Sequence, residues 1–161
     1  IINNNPLYVY EQLDNAQLKG IEMNIHYHPH FIHQLHIEER ISIMEGKSSK
    51  DQFLPLMPAN TFQTSIKYYF LNKNIFNCRE VSFDHIYNSS QKKVANNESP
   101  TDDYSIINAS LLFGSKSNKI NLLIGVRNLL NVEYTPHLSR LKSYEIPHVG
   151  RSYNLKLCLT I

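Results

Sequence analysis

Apolar and polar residues alternate with a period of two along this chain, in segments of about ten residues separated by turn-rich stretches. In residues 153–161, Tyr153, Leu155, Leu157, Leu159 and Ile161 fall on one face, and Asn154, Lys156, Cys158 and Thr160 on the other. A helix of 3.6 residues per turn would scatter both sets. The same split recurs in 20–28, where Ile21, Met23, Ile25 and Tyr27 oppose Glu22, Asn24, His26 and His28. In 34–44, Leu35, Ile37, Ile41 and Ile43 oppose His36, Glu38, Arg40 and Ser42, with Glu39 the one intruder on the apolar face. Phe62, Ile66, Tyr68 and Phe70 oppose Gln63, Ser65 and Lys67; Val81, Phe83 and Tyr87 oppose Glu80, Ser82 and Asp84. Two further segments set Ile107, Ala109, Leu111 and Phe113 against Asn108 and Ser110, and Ile120, Leu122, Ile124 and Val126 against Asn121 and Arg127. The chain therefore reads as all-β with seven strands, the first starting as early as Leu7.

The connections alternate as well. Short turns at 29–33, 72–77 and 114–118 take turns with long polar loops at 45–60, 88–103 and 128–149. That asymmetry belongs to an outer-membrane barrel, with periplasmic turns and extracellular loops. Parity then sends the last strand downward and leaves the C-terminus on the periplasmic side. Pairing Tyr68 with Val81 puts Phe70 near the short turn and Phe62 beside Tyr87 near the long loops, the placement of two interfacial aromatic girdles. Lipid of the outer membrane is the partner expected on that face. Charged residues are 19% of the sequence, below the roughly 25% of ordinary soluble domains. No window approaches the 18 apolar residues of a membrane helix, which leaves a barrel open.

Other classes lose ground on composition. Sixteen Lys and Arg against 14 Asp and Glu give +2, with no basic stripe, so nucleic acid is not expected as a partner. No nucleophile and base spacing and no phosphate-cradling Gly loop occur, so neither an enzyme nor a cofactor is expected. Cys78 and Cys158, placed near the lower ends of strands four and seven, are expected to be free thiols. The first residue is Ile1 with no secretory signal pattern, which reads as a processed product or part of something longer.

The most specific stretch is Val126-Arg127-Asn128-Leu129-Leu130-Asn131-Val132-Glu133-Tyr134, followed by His137-Leu138-Ser139-Arg140-Leu141-Lys142 and then Gly150-Arg151 before the terminal strand. It resembles the C-terminal end of TonB-dependent outer-membrane receptors. Three further blocks are similar to that family in the expected order: Ala16 to Glu22 with its Gly20, Leu54-Pro55-Leu56-Met57-Pro58, and Tyr104 to Ala109. The resemblance implies the last third of an antiparallel, up-and-down, 22-stranded transmembrane β-barrel, from a receptor that imports a scarce nutrient with energy relayed by the TonB system. It also implies that the N-terminal plug, through which the TonB system acts, lies outside residues 1–161. The His-Leu-Ser-Arg-Leu-Lys tail is more similar to receptors for iron-siderophore, haem or metal complexes than to glycan importers. Ile161 departs from the aromatic with which the family usually ends.

Several residues carry candidate chemistry. Pairing His28 with Gln34 across the Pro29 turn sets Glu22 opposite Arg40, an ion pair on the lumen-facing side worth about 0.2–1 kcal/mol. The lumen face is then expected to carry Glu22, Arg40, Lys67, Asp84, Asn108 and Arg127. His26, His28 and His36, with His30 and His33 between them, are the candidate metal ligands, set against a solvated His-rich turn. His137 and His148, in the last long loop, are the candidate contacts for a small-molecule nutrient. Two rival architectures stay in view. One is a complete eight-stranded outer-membrane barrel with a structural or adhesive role. The other is a soluble His-rich metal-binding β domain, which requires the apolar faces to pack on each other.

Overall fold

A computed structural model describes residues 15–71, 76–96, 98–115 and 119–160. Seven strands form one antiparallel sheet in strict sequence order: β1 (Ala16–Tyr27), β2 (Leu35–Ser48), β3 (Thr61–Tyr69), β4 (Phe76–Asn88), β5 (Tyr104–Ser115), β6 (Ile120–Arg127) and β7 (Ser152–Leu159). Each strand pairs only with its sequence neighbours, and β1 and β7 do not meet, so the sheet is an open up-and-down segment. Among the described residues that arrangement is neither a closed barrel nor a sandwich. Leu7 and Ile161 lie outside the described residues, as does most of the turn at 72–77. The strands run past the expected ends: β2 continues to Ser48 because Glu45–Ser48 ladder onto Ala16–Lys19, and β4 begins at Phe76.

Register carries the alternation of each strand across the whole sheet. Asn24 faces Arg40, Arg40 faces Gln63, Ser65 faces Asp84, Asp84 faces Asn108, and Gly125 faces Asn154, so one continuous polar face runs from β1 to β7. The opposite face carries Ile21, Ile43, Ile66, Phe83, Leu111, Ile124 and Leu155, all exposed. The only large apolar side chain buried among the residues described is that of Met57, in the first long loop. Among the described residues nothing covers the apolar face, so these strands do not build a soluble core between them. Ser65 and Ser82 on the polar face are buried instead, bonded to Asp84 at 2.6 Å and Ser110 at 2.7 Å. Polar groups here are satisfied across strands, as a lumen surface requires.

The aromatic girdles stand where expected. Tyr68 pairs with Val81 and Phe62 with Tyr87, whose ring centroids are 6.1 Å apart, while Tyr68 and Phe70 meet at 5.0 Å near the other end. Glu39 has company on the apolar face. The Thr64 hydroxyl donates to Glu39 Oε2 at 2.6 Å, and His85 Nε2 lies 2.6 Å from Ser105 Oγ, so a polar row crosses β2 to β5 one step inside the Phe62 and Tyr87 pair.

The expected Glu22 and Arg40 pair is corrected by the register. Asn24, not Glu22, faces Arg40; Glu22 faces Ser42, and Arg40 binds Glu38 on its own strand at 2.6 Å. Two successive turns cause the slip, Ile32 N–H to Pro29 C=O and Leu35 N–H to Ile32 C=O, both 3.1 Å. They use up residues that the expected pairing had placed in the ladder. Because the slip is two residues, every side chain keeps its face.

Candidate functional site

The three long loops gather at one end of the sheet and build on one another. The first folds back on β2, closing with Leu54 N–H to Gly46 C=O at 3.0 Å. A methyl group on Gly46 would stand 2.8 Å from Leu54 Cδ1 and 2.9 Å from Met57 Sδ, so the ends of both side chains pack directly on the glycine and would have to shift to admit a larger residue. The second loop lies over it, with the buried Gln91 amide donating to Met57 C=O at 3.3 Å and Pro58 C=O at 2.9 Å, and with Lys93 bound to Glu45.

Glu98 in the second loop ties all three together. Its Oε2 accepts from Leu56 N–H of the first loop at 3.1 Å, and its Oε1 lies 3.0 Å from His137 Nε2 and 3.9 Å from Lys142 Nζ of the third. His137 is 5% exposed; its Nε2 and Glu98 Oε1 stand at ion-pair distance without the alignment of a hydrogen bond, and neither atom has a hydrogen-bond partner elsewhere. An ammonium only donates, so Lys142 Nζ, 3.4 Å from His137 Nδ1, together with the Thr101 hydroxyl at 3.0 Å, fixes Nδ1 as the acceptor. The neutral ring then carries its proton on Nε2, toward the carboxylate. Burial, and next the Lys142 charge, lower the His137 pKa below its ordinary value.

The Asn-Leu-Leu-Asn block starts the third loop. Asn128 and Asn131 both adopt the left-handed region, at φ 50° and 55°, where asparagine is better tolerated than most side chains. The Asn128 side chain, almost fully buried, donates to Val132 C=O at 2.7 Å and accepts from Val132 N–H at 2.9 Å, standing in for a backbone rung. Asn131 Oδ1 accepts from Arg151 N–H at 2.8 Å, tying the start of the loop to its end. Leu129 and Leu130 stay exposed. The block that singles out this sequence is thus a loop-forming device.

Beyond it, Tyr134 stacks on Tyr104 at 4.4 Å and on His148 at 5.1 Å, and its hydroxyl lies 3.0 Å from His148 Nδ1. Burial raises the Tyr134 pKa, which keeps the phenol protonated. Tyr134 and His148 form the rim of a cavity of about 620 Å³ between the third loop and the polar face, whose floor carries Asp84, Asn108, Arg127 and Asn154. This is the candidate binding site. It offers both charges, amides, a phenol and one imidazole to a polar ligand.

Of the two loop histidines singled out in the sequence, His148 reaches this cavity and His137 does not, being occupied in the clamp with Glu98. Sequence reasoning placed Asp84, Asn108 and Arg127 on the polar face but missed Tyr134 and Asn154 as cavity residues, although the tyrosine closes the Asn-rich block. At the opposite, short-turn end, His28 and His36 meet with ring centroids 4.1 Å apart, while His26 turns to Glu38 at 3.9 Å. Among the described residues no group of three or more His, Cys, Asp and Glu is placed to hold a metal. Cys78 and Cys158 are free, as expected.

No family model and no curated protein matches this sequence. Solved structures do. The copper transporter OprC superposes at a TM-score of 0.76 with 18% identity, covering 88% of this chain and 22% of that one. The FrpB iron transporter from Neisseria meningitidis (F5-1 variant) superposes at 0.68 with 17% identity, covering 88% of this chain and 23% of that one. The fold is therefore that of a segment of these two transporters, and the chain spans less than a quarter of the length of either.

Proposed function

We propose that these residues form the C-terminal part of the barrel of a TonB-dependent outer-membrane receptor for a metal-containing nutrient, such as an iron-siderophore, haem or metal complex. The observation that carries this reading is the sheet itself: a mainly apolar face that no described residue covers, backed by a mainly polar face, with all the long loops at one end. Lipid takes the first face, and a polar lumen explains the second. The two matched structures, one titled a copper and the other an iron transporter, support a metal-containing cargo.

In this reading the long loops are extracellular and the C-terminus is periplasmic. The remaining strands and a plug, the part that meets the TonB system, come from outside residues 1–161. The protein acts by binding and passage rather than by catalysis, and the cavity under the third loop contributes to the ligand mouth through His148 and Tyr134.

The test starts with native outer membranes, immunoblotted with antibody against residues 88–103, with and without boiling. A 22-stranded barrel at about 23 residues per strand predicts a heat-modifiable band above about 55 kDa. Uptake of radiolabelled copper and ferric siderophores is then compared in cells with and without the protein, before and after collapse of the proton-motive force. A band near 18.7 kDa overturns the reading. So does uptake of both labels that is indifferent to the protein.

A further inference from the structure

Five of the chain's eight histidines fall between residues 26 and 36, around the turn that joins β1 to β2. The β1 and β2 register, which ends at Tyr27 facing Ile37, continues by one step to set His28 directly across from His36. The two rings meet edge to face at 4.1 Å, and the Tyr69 ring of β3 holds the far side of His36 at 4.8 Å. One rung further in, His26 faces Glu38, whose carboxylate is already taken by Arg40 at 2.6 Å. The imidazole pair is thus held by the sheet on both strands, on the polar face, with no carboxylate free to compete for it.

We infer that His28 and His36 form a two-imidazole clamp for a borderline divalent cation, Cu²⁺, Ni²⁺ or Zn²⁺, at the short-turn end of the polar face. Imidazole nitrogen suits these ions, whereas Mg²⁺ and Ca²⁺ take oxygen ligands. A small rotation of the side chains opens the edge-to-face contact and turns one nitrogen of each ring toward a shared ion, at the usual 2.0–2.1 Å. Two protein ligands leave the other positions to water. Arg40 cancels the nearest negative charge, so the ion is held loosely, as suits a site that an ion passes through. The clamp lies at the other end of the sheet from the loop cavity and stands whatever that cavity binds.

The probe is Cu²⁺ alone, added below one equivalent to the full chain as cells produce it, purified in detergent and followed by electron paramagnetic resonance. The wild type is expected to give an axial signal with superhyperfine splitting from two nitrogens. His28→Gln and His36→Gln each remove the chelate, which lowers the affinity about 100-fold and leaves one nitrogen. His26→Gln, and the turn variants His30→Gln and His33→Gln, keep both the affinity and the signal. Excess Mg²⁺ does not displace the ion. Unshifted bands on unboiled gels certify that each variant is folded. Unchanged binding in the His28→Gln/His36→Gln double variant overturns the clamp, and so does loss of binding in the His30 and His33 variants instead.

Discussion

Replacing Glu98 with glutamine tests whether the long loops form one body. The substitution keeps the shape and removes the charge that faces His137 and Lys142, whose side chains are 2% and 16% exposed. It also sets an amide NH₂ against either Leu56 N–H or His137 Nε2–H, a donor facing a donor. A hydrogen bond to a charged group contributes about 1.5–3 kcal/mol, and an unmet buried donor costs about 1–3 kcal/mol. Partial relaxation keeps the sum near 2–3 kcal/mol of loop docking. At 1.36 kcal/mol per decade, local opening becomes about 30–150 times more frequent. Native-state hydrogen exchange with mass spectrometry reads this directly. Amides in 49–60 and 128–151 should exchange faster by that factor, while those of β3 to β6 stay unchanged. Acceleration confined to residues 89–103 refutes the reasoning, because Glu98 would then hold only its own loop.

The same clamp weakens in acid. His137 titrates below its ordinary value of 6.5 when the loops are docked, so the undocked state takes up its proton first. Docking is full above about pH 6.5, falls as the pH drops below that, and levels off beneath the docked pKa; loop proteolysis at pH 7.5 and 5.5 checks this, and His137→Gln abolishes the difference. Asn128→Ala leaves both polar groups of Val132 without partners and puts alanine at φ 50°, for a loss of about 2–4 kcal/mol, read as a lower melting temperature in detergent. Leu130→Ala, at an exposed site, leaves that temperature within error. Ile66→Lys places a charge at mid-strand on the apolar face beside Phe83 and costs about 2–4 kcal/mol in urea unfolding from liposomes. Ser42→Lys, on the polar face opposite Glu22, changes the same measurement by less than about 0.5 kcal/mol.

What was legible in the sequence follows from what each feature depends on. A strand's faces are fixed by parity, so Ile66, Phe83 and Asp84 were assigned correctly from alternation alone. Pairing across a loop depends on that loop's turn chemistry. At 70–77 the aromatic positions sufficed, and Tyr68 does face Val81. At 29–35 the two chained turns moved the register by two, unseen by a parity argument that tolerates any even shift. The clamp was out of reach for another reason: Leu56, Glu98 and His137 come from three loops, and no local pattern links residues 42 positions apart.

The Asn-Leu-Leu-Asn block shows why a specific motif and a binding site need not coincide. Its two asparagines answer demands of the backbone, a left-handed turn and a missing rung, which few other residues meet. Any ligand-facing set would have to change with the ligand. The cavity draws on Asp84, Asn108, Arg127, Tyr134, His148 and Asn154, spread over three strands, the third loop and the start of β7, so no contiguous motif encodes it. Rigidity and recognition are therefore divided along the third loop. Asn128 and His137 hold it to the barrel and its neighbours, which leaves Tyr134 and His148, bound to each other, positioned at the edge of the cavity over the polar face.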